Sequence, residues 1–164
     1  MSKETHGSAP VIALPSIDNL HVAIVTASWN NHITYRLRDS ALREFSKAGL
    51  SSPGDIDTFE VPGAVELTFA ASQLIETGLY DAVIVFGCVV RGGTPHFDYV
   101  CQSVTQGVTH LNAECDIPVI FGVLTVDTEE DAMVRCDGTV ADKGAEAAQT
   151  AIAMVDFARK VKDM

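Results

Sequence analysis

Short apolar runs alternate along the chain with stretches in which apolar residues recur every three or four positions. Four runs have the length and β-branched content of buried strands, and they cover residues 21–27, 56–61, 82–90 and 119–126. The run over residues 82–90 is apolar almost throughout, which is typical of a strand covered on both faces. The pattern therefore predicts four short strands.

Helical spacing fills the intervals between these strands. It predicts helices over residues 31–49 and 65–77, around residues 100–111, near residues 129–135, and through Ala148, Ile152 and Val155. Gly49 and Gly78 stand where the first two helices should end. The alternation predicts an α/β domain with a four-stranded parallel sheet between helical layers.

The domain is predicted to cover residues 19–164, behind a flexible or extended arm of residues 1–18 that contains Pro10 and Pro15. In a parallel α/β sheet, ligands bind outside the carboxyl ends of the strands. The segments that should hold a site therefore follow Ala27, Val61, Val90 and Val126.

Composition excludes several classes of partner. A formal net charge of −11 over 164 residues repels phosphate backbones and anionic lipids, so we expect no nucleic-acid or membrane partner. No run approaches the roughly 20 apolar residues of a membrane span, and the N-terminus lacks the apolar core of a secretory signal, so we expect a cytoplasmic protein. The positive mean hydropathy suggests apolar surface that is buried between subunits.

Four cysteines occur without a CxxC pair and without zinc-type spacing to histidine. Each lies in an apolar or helical stretch, so we interpret them as small buried side chains in a reducing compartment. His32, His110 and Asp98 show no ligand spacing to His96 either, and no metal site is expected.

The segment Gly92-Gly93-Thr94-Pro95-His96 is the richest in chemistry. The two glycines permit positive φ and a close approach of the backbone to a ligand. Thr94 suits an N-cap and Pro95 the first helical position, so a helix should begin here and offer free N–H groups to an anion. A plain strand-to-helix turn explains the same residues equally well.

His96 would lie in the first turn of that helix. The positive helix end disfavours a second positive charge, which suits a group that accepts and returns protons. A surface or capping histidine is the alternative.

Three other positions carry two interpretations each. Trp29, the only tryptophan, follows the first strand and could stack on a flat ligand or anchor an interface. Glu66 begins a helix and either complements its dipole or accepts hydrogen bonds from ligand hydroxyls. Arg135 and Lys143 are either solvated surface charges or phosphate ligands.

Taken together, five blocks resemble the lumazine synthase family from His21 to the C-terminal helix. They are ASWN at 27–30, VPGAVE at 61–66, GCVVRGGTPHFDYV at 87–100, PVIFGVLT at 118–125, and Arg135 followed by Lys143-Gly144. The resemblance implies a flavodoxin-like three-layer α/β/α sandwich with strand order 2-1-3-4. It also implies condensation of 5-amino-6-(D-ribitylamino)uracil with 3,4-dihydroxy-2-butanone 4-phosphate to 6,7-dimethyl-8-ribityllumazine, the penultimate step of riboflavin biosynthesis, without a cofactor.

The resemblance further implies a homopentamer, or a decamer or sixty-subunit shell built from pentamers, with riboflavin synthase as a further partner. Each site would lie between two subunits. One subunit would provide Trp29, Ala64, Val65, Glu66, Cys88, Val89, Val90, Gly93, Thr94 and the catalytic His96, and its neighbour Phe121, Arg135 and Lys143.

By the same resemblance, Trp29 would stack on the pyrimidine and Glu66 would bind the ribityl hydroxyls, while Gly93, Thr94 and Arg135 would hold the phosphate. His96 would move protons during imine formation and phosphate elimination.

Two differences from the family pattern and two alternative functions stay open. The family often has Phe where Trp29 stands, which bears on flavin affinity, and residues 138–143 lack the lysine and Gly-Asn of many shell-forming members. A riboflavin synthase of this fold would not need the set Gly93, Thr94, His96 and Arg135. A non-catalytic flavin-binding or shell protein would not need His96 and Arg135.

Overall fold

A four-stranded parallel sheet forms the centre of the molecule, and its strand order is β2-β1-β3-β4. The structure, a computed structural model, describes residues 13–51 and 54–164. The strands are β1 (Val22–Ala27), β2 (Ile56–Val61), β3 (Ala82–Val90) and β4 (Val119–Val126). The predicted sheet, its parallel pairing and its order 2-1-3-4 are confirmed.

Five α-helices connect and follow the strands. They are α1 (Asn31–Lys47), α2 (Leu67–Glu76), α3 (His96–Glu114), α4 (Glu129–Met133) and α5 (Lys143–Lys162). None of the helices in these two ranges has the length and apolar character needed to cross a membrane.

Two apolar clusters, one on each face of the sheet, make the sandwich three-layered. Alternate side chains of β1 enter different clusters, with Ile24 in one and Val25 in the other, because successive side chains of a strand point to opposite faces. The first cluster joins the sheet to α1 and α5, and the second joins it to α2 and α3. Each fully buried Val, Leu, Ile or Phe contributes about 1.5–3 kcal/mol to folding, so both faces stabilise the sheet.

The predicted arm is only partly within the described ranges, since residues 1–12 lie outside them. Residues 13–18 form no helix or strand, and Leu14 and Ile17 pack against the first cluster. The guanidinium of Arg159 on α5 donates to the carbonyl oxygens of Asp18 and Asn19 at 2.8 and 3.0 Å.

The first two helices end just before the glycines that predicted their ends. After α1, Gly49 has φ +85°, the N–H of Leu50 donates to the carbonyl of Phe45 and the N–H of Gly49 to that of Ser46, which is a Schellman motif. Gly78 after α2 has φ +68°.

The start of α2 differs from the prediction. Residues Ala64–Glu66 form a 3₁₀ turn, and the α-helix begins at Leu67 rather than at Val65. The backbone of Gly63 is extended, and the N–H of Glu66 donates to the carbonyl of Gly63 at 3.3 Å. This tighter bond three residues back shapes the first turn.

The contact between α1 and α5 requires a glycine. A Cβ at Gly144 would overlap the carbonyl oxygen of Leu37 and lie 2.8 Å from the Cβ of Ser40. The hydroxyl of Ser40 donates to the carboxylate of Asp142 at 2.6 Å, and Asp142 also caps α5 by accepting from the N–H of Ala145. The N-terminus of α5 is therefore fixed against the backbone of α1.

We predict that Gly144→Ala lowers the free energy of unfolding by about 1–3 kcal/mol, because the added methyl forces the two helices apart. Helix propensity alone predicts the opposite sign, a gain of about 1 kcal/mol. Urea unfolding at a fixed protein concentration measures the change. The control is Gly92→Ala, where a Cβ meets no atom within 4 Å. A stabilised Gly144→Ala variant would contradict the prediction.

Candidate active site

A cavity of about 380 Å³ lies at the carboxyl ends of β1, β2 and β3. Three of the four predicted segments form its wall, namely those after Ala27, Val61 and Val90, whereas the segment after Val126 takes no part. The lining residues are Trp29, Asn30, Gly63, Ala64, Val65, Glu66, Cys88, Val89, Val90, Gly92, Thr94, His96, Phe97 and Val100.

Trp29 is presented by a turn that continues the β1–β2 pairing. The N–H groups of Ser28 and Trp29 donate to the carbonyls of Val61 and Pro62 at 2.8 and 2.9 Å. The Trp29 side chain is 73% exposed and lines the cavity. An open indole face of this kind suits stacking on a heteroaromatic ring.

Asn30 ties the ends of two strands together. Its backbone is left-handed (φ 58°, ψ 42°), and its Nδ2 donates to the carbonyl of Cys88 at 2.9 Å. Asparagine tolerates this conformation better than most residues because its short side chain bonds locally. The bond fixes the Trp29–Asn30 turn against the last residues of β3.

The segment after β2 adds a small apolar wall and one acid. Ala64 and Val65 of the 3₁₀ turn line the cavity, and the exposed Glu66 stands beside them. An ionised carboxylate accepts hydrogen bonds only, so Glu66 is suited to ligand hydroxyl groups.

The turn before α3 partly corrects the prediction for Gly92 and Gly93. Neither glycine has positive φ, and a Cβ at either would meet no atom within 4 Å. The fold itself therefore does not require glycine at these positions, and their missing side chains leave open space at the turn. Gly92 lines the cavity, whereas Gly93 does not.

The helix begins one residue later than predicted. Pro95 occupies the cap position and α3 starts at His96, although the dihedral angles of Pro95 (φ −63°, ψ −6°) are already helical. Thr94 still serves the predicted purpose, because its Oγ1 accepts from the N–H of His96 at 3.4 Å. The difference arises because the first bond of the helix closes over three residues, from Asp98 N–H to Pro95 O.

His96 is exposed in the first turn of α3 and faces the cavity. Thr94 and His96 therefore stand beside the N-terminal end of a 19-residue helix. The positive end of its dipole favours an anion at this end of the cavity.

Phe121, Arg135 and Lys143 do not reach this cavity. Phe121 and Lys143 line a second concavity of about 430 Å³ between β4 and α5. Arg135 lies between α4 and α5 and donates from Nη1 to the carbonyl of Asp131 at 2.6 Å. A single chain thus separates the predicted site residues into two groups.

Burial raises the pKa of the Cys88 thiol to about 12, with smaller contributions from Cys136 and Glu129. Cys88 is therefore a neutral part of the wall and not a nucleophile. All four cysteines are free. Cys88 and Cys136 are buried as predicted, but Cys101 and Cys115 are only half-buried. Residues 13–51 and 54–164 contain no group of three His, Cys, Asp or Glu side chains that could hold a metal.

Sequence reasoning named Asn30, Gly63, Phe97 and Val100 within motifs but did not assign them to the site. An asparagine in the short segment between a strand and a helix was a usable indication for Asn30, since this residue type favours the left-handed turn found there. For Val100 the helix start alone would have sufficed, because the residue four positions after His96 shares its face. The helical spacing gave no indication for Phe97, the residue next to His96.

The sequence profile of the 6,7-dimethyl-8-ribityllumazine synthase family matches residues 19–159. The chain is 51% identical over 145 residues to the 6,7-dimethyl-8-ribityllumazine synthase of Parabacteroides distasonis, covering 88% of this chain and 90% of that protein. It is 47% identical to the Phocaeicola vulgatus enzyme of the same name, covering 92% and 89%. For the Streptomyces coelicolor enzyme the identity is 42% and the coverage 94% and 95%. With the site geometry and these similarities in agreement, the chain belongs to the 6,7-dimethyl-8-ribityllumazine synthase family.

Proposed function

We propose that the cavity at the ends of β1, β2 and β3 binds both substrates of lumazine synthesis and joins them. The chain is then a transferase that condenses 5-amino-6-(D-ribitylamino)uracil with 3,4-dihydroxy-2-butanone 4-phosphate and releases 6,7-dimethyl-8-ribityllumazine, phosphate and water. The observation that supports this assignment best is the placement of an exposed indole, Trp29, and a helix N-terminus in one cavity. The first suits a flat pyrimidine and the second a phosphate.

Each substrate has a complementary part of the wall. The pyrimidine stacks on Trp29 and its ribityl hydroxyls donate to Glu66. The phosphate lies at the turn of Gly92, Gly93 and Thr94, beside the first turn of α3. Between them the apolar residues Ala64, Val65, Val89 and Val90 exclude water, with the Cys88 thiol behind them.

His96 is proposed to move protons. It stands next to Thr94, where the phosphate would leave, and its ring can take a proton from the attacking amine and give one to the departing oxygen. Much of the rate comes from holding the amine and the ketone together, which requires no cofactor.

A neighbouring copy of the chain completes the site in this proposal. Phe121, Arg135 and Lys143 lie in the second concavity or beside it, where they are accessible to another subunit. An exposed apolar side chain lines each of the two concavities, Val65 the first and Phe121 the second, and Phe69 on α2 and Tyr99 on α3 are exposed as well. Exposed apolar surface of this kind is typical of subunit interfaces. We propose a homopentamer in the cytoplasm, with a decamer, a shell and an association with riboflavin synthase as further possibilities.

The first test is the reaction itself. We expect purified protein, given both substrates and a chelator, to form the absorbance of the lumazine product, because no step needs a metal. Reactions lacking either substrate are the controls. A folded oligomer that forms no product would refute the proposed function.

The second test concerns Arg135. We expect Arg135→Ala to raise KM for the phosphate substrate about tenfold or more, since a charge-assisted hydrogen bond contributes about 1.5–3 kcal/mol, while KM for the pyrimidine changes little. Lys47→Ala is the control, because it also removes one positive charge, but from the last turn of α1, which is the end of that helix away from the cavity. Equal effects on the two KM values would refute the assignment.

Mixed oligomers test whether the site spans two subunits. In co-expressed Arg135→Ala and His96→Ala chains, about a quarter of the interfaces carry both native residues if pairing is random. Activity at low phosphate-substrate concentration should then exceed the mean of the two separate variants. Activity equal to that mean would show that each site takes both His96 and Arg135 from one subunit.

The fourth test is the oligomeric state. Light scattering should give a mass that is five times the chain mass of 17.5 kDa, or a multiple of that pentamer. A stable, active monomer would contradict the shared site, because one chain does not bring Arg135 to the cavity.

A further inference from the structure

We propose that Arg91 is a positioning residue that holds the phosphate-binding turn in place without touching the substrate. The inference rests on the proposed function, because it concerns the turn of Gly92, Gly93 and Thr94. Arg91 is the residue directly before that turn.

Arg91 contacts two other segments of the chain at once. Its Nε donates to Oδ1 of Asp127 at 2.7 Å, and its Nη1 lies 3.6 Å from Oδ1 of Asp98. Its guanidinium carbon lies 4.2 Å from the ring centroid of Phe97. The backbone N–H of Arg91 donates to the carbonyl of Val126 at 2.9 Å, which extends the β3–β4 pairing past the strand ends.

These contacts connect the end of β3, the first turn of α3 and the residue after β4. Phe97 lines the cavity, so the stacked guanidinium fixes one residue of its wall. Asp98 belongs to the same first turn as His96. Both ends of this turn, in which Gly92 and Gly93 have no side chains to pack, are thus held by one side chain.

Arg91 is a poor substrate ligand by comparison. It does not line the cavity, and two carboxylates already accept from it or pair with it. Its guanidinium is about half exposed, so each ion pair contributes little to global stability. The effect of losing Arg91 should therefore fall on the turn rather than on the fold.

The chain provides a matched control. Arg38 stacks over Tyr35 at 4.4 Å and pairs with Asp39 and Glu60 at 2.9 and 3.4 Å, which reproduces the same set of contacts. Arg38 lines neither of the two concavities. Arg91→Gln and Arg38→Gln remove the same charge and the same kind of contacts, and only the first adjoins the turn.

We expect Arg91→Gln to raise KM for the phosphate substrate about three- to tenfold and to lower kcat, since small displacements of binding groups reduce rates strongly. KM for the pyrimidine should stay within twofold, and Arg38→Gln should match the wild type in all three constants. Arg91→Lys, which keeps the charge but not the planar fork, should lie between the wild type and Arg91→Gln. Thermal unfolding at a fixed concentration checks that the variants fold.

Asp127→Asn separates position from charge. Removal of a negative charge near the turn should lower KM for an anionic substrate if only the local field matters. Loss of the Arg91–Asp127 contact should instead raise this KM, as in Arg91→Gln. The double variant should then have a KM no higher than that of the Arg91→Gln single variant. This variant also keeps the test decisive if Arg91→Gln folds poorly.

A lowered KM in Asp127→Asn, or an Arg91→Gln variant that behaves like Arg38→Gln, would overturn the inference while the wild type still makes product. Absence of product from the wild type would instead overturn the proposed function itself. The two failures are therefore distinguishable.

Discussion

Because β1 pairs in parallel with both β2 and β3, the carboxyl ends of three strands meet at one edge of the sheet. The register aligns Ala27 with Val61 and Thr26 with Phe86, so β3 extends past its neighbour β1. Its last residues, Cys88 to Val90, become the back wall of the cavity. The backbone groups freed at this edge find local partners: Thr34 Oγ1 donates to Ala27 O at 2.7 Å, and Asn30 Nδ2 donates to Cys88 O. The edge can thus stay rigid while it remains open to a ligand.

An acidic chain that binds a phosphate needs its positive charge placed locally. The two cations that the sequence suggested as phosphate ligands are each engaged within their own chain: Arg135 with the carbonyl of Asp131, and Lys143 with Glu146 at 2.6 Å. These contacts are exposed or half-exposed and therefore weak, which allows the side chains to be redirected toward a neighbour. The helix end of α3 needs no such rearrangement, since its dipole is fixed by the backbone.

The sequence was informative where local chemistry decides the outcome. Apolar periodicity predicted the strands, Gly49 and Gly78 predicted helix ends, and the order of strands and helices predicted which loops meet. It failed where geometry depends on distant contacts. Nothing near Gly92 shows that its φ is negative, and nothing near Val65 shows that a 3₁₀ turn precedes α2. One partner of Arg91, Asp127, lies 36 residues away, so this contact could not be foreseen. Nor can the pattern of one chain show which half of a site another chain provides.

The packing of α5 and the proposed shared site meet at the start of α5. Gly144 and the Ser40–Asp142 bond fix this helix against α1, and the same short segment carries Lys143. The N–H of Lys143 donates to the carbonyl of Arg135 at 3.0 Å, so both cations move with that helix end. In a shared site, these cations serve the neighbouring subunit. A packing defect between α1 and α5 of one subunit would therefore weaken phosphate binding in the next, while the cavity of the defective subunit, built on β1, β2 and β3, would keep its shape.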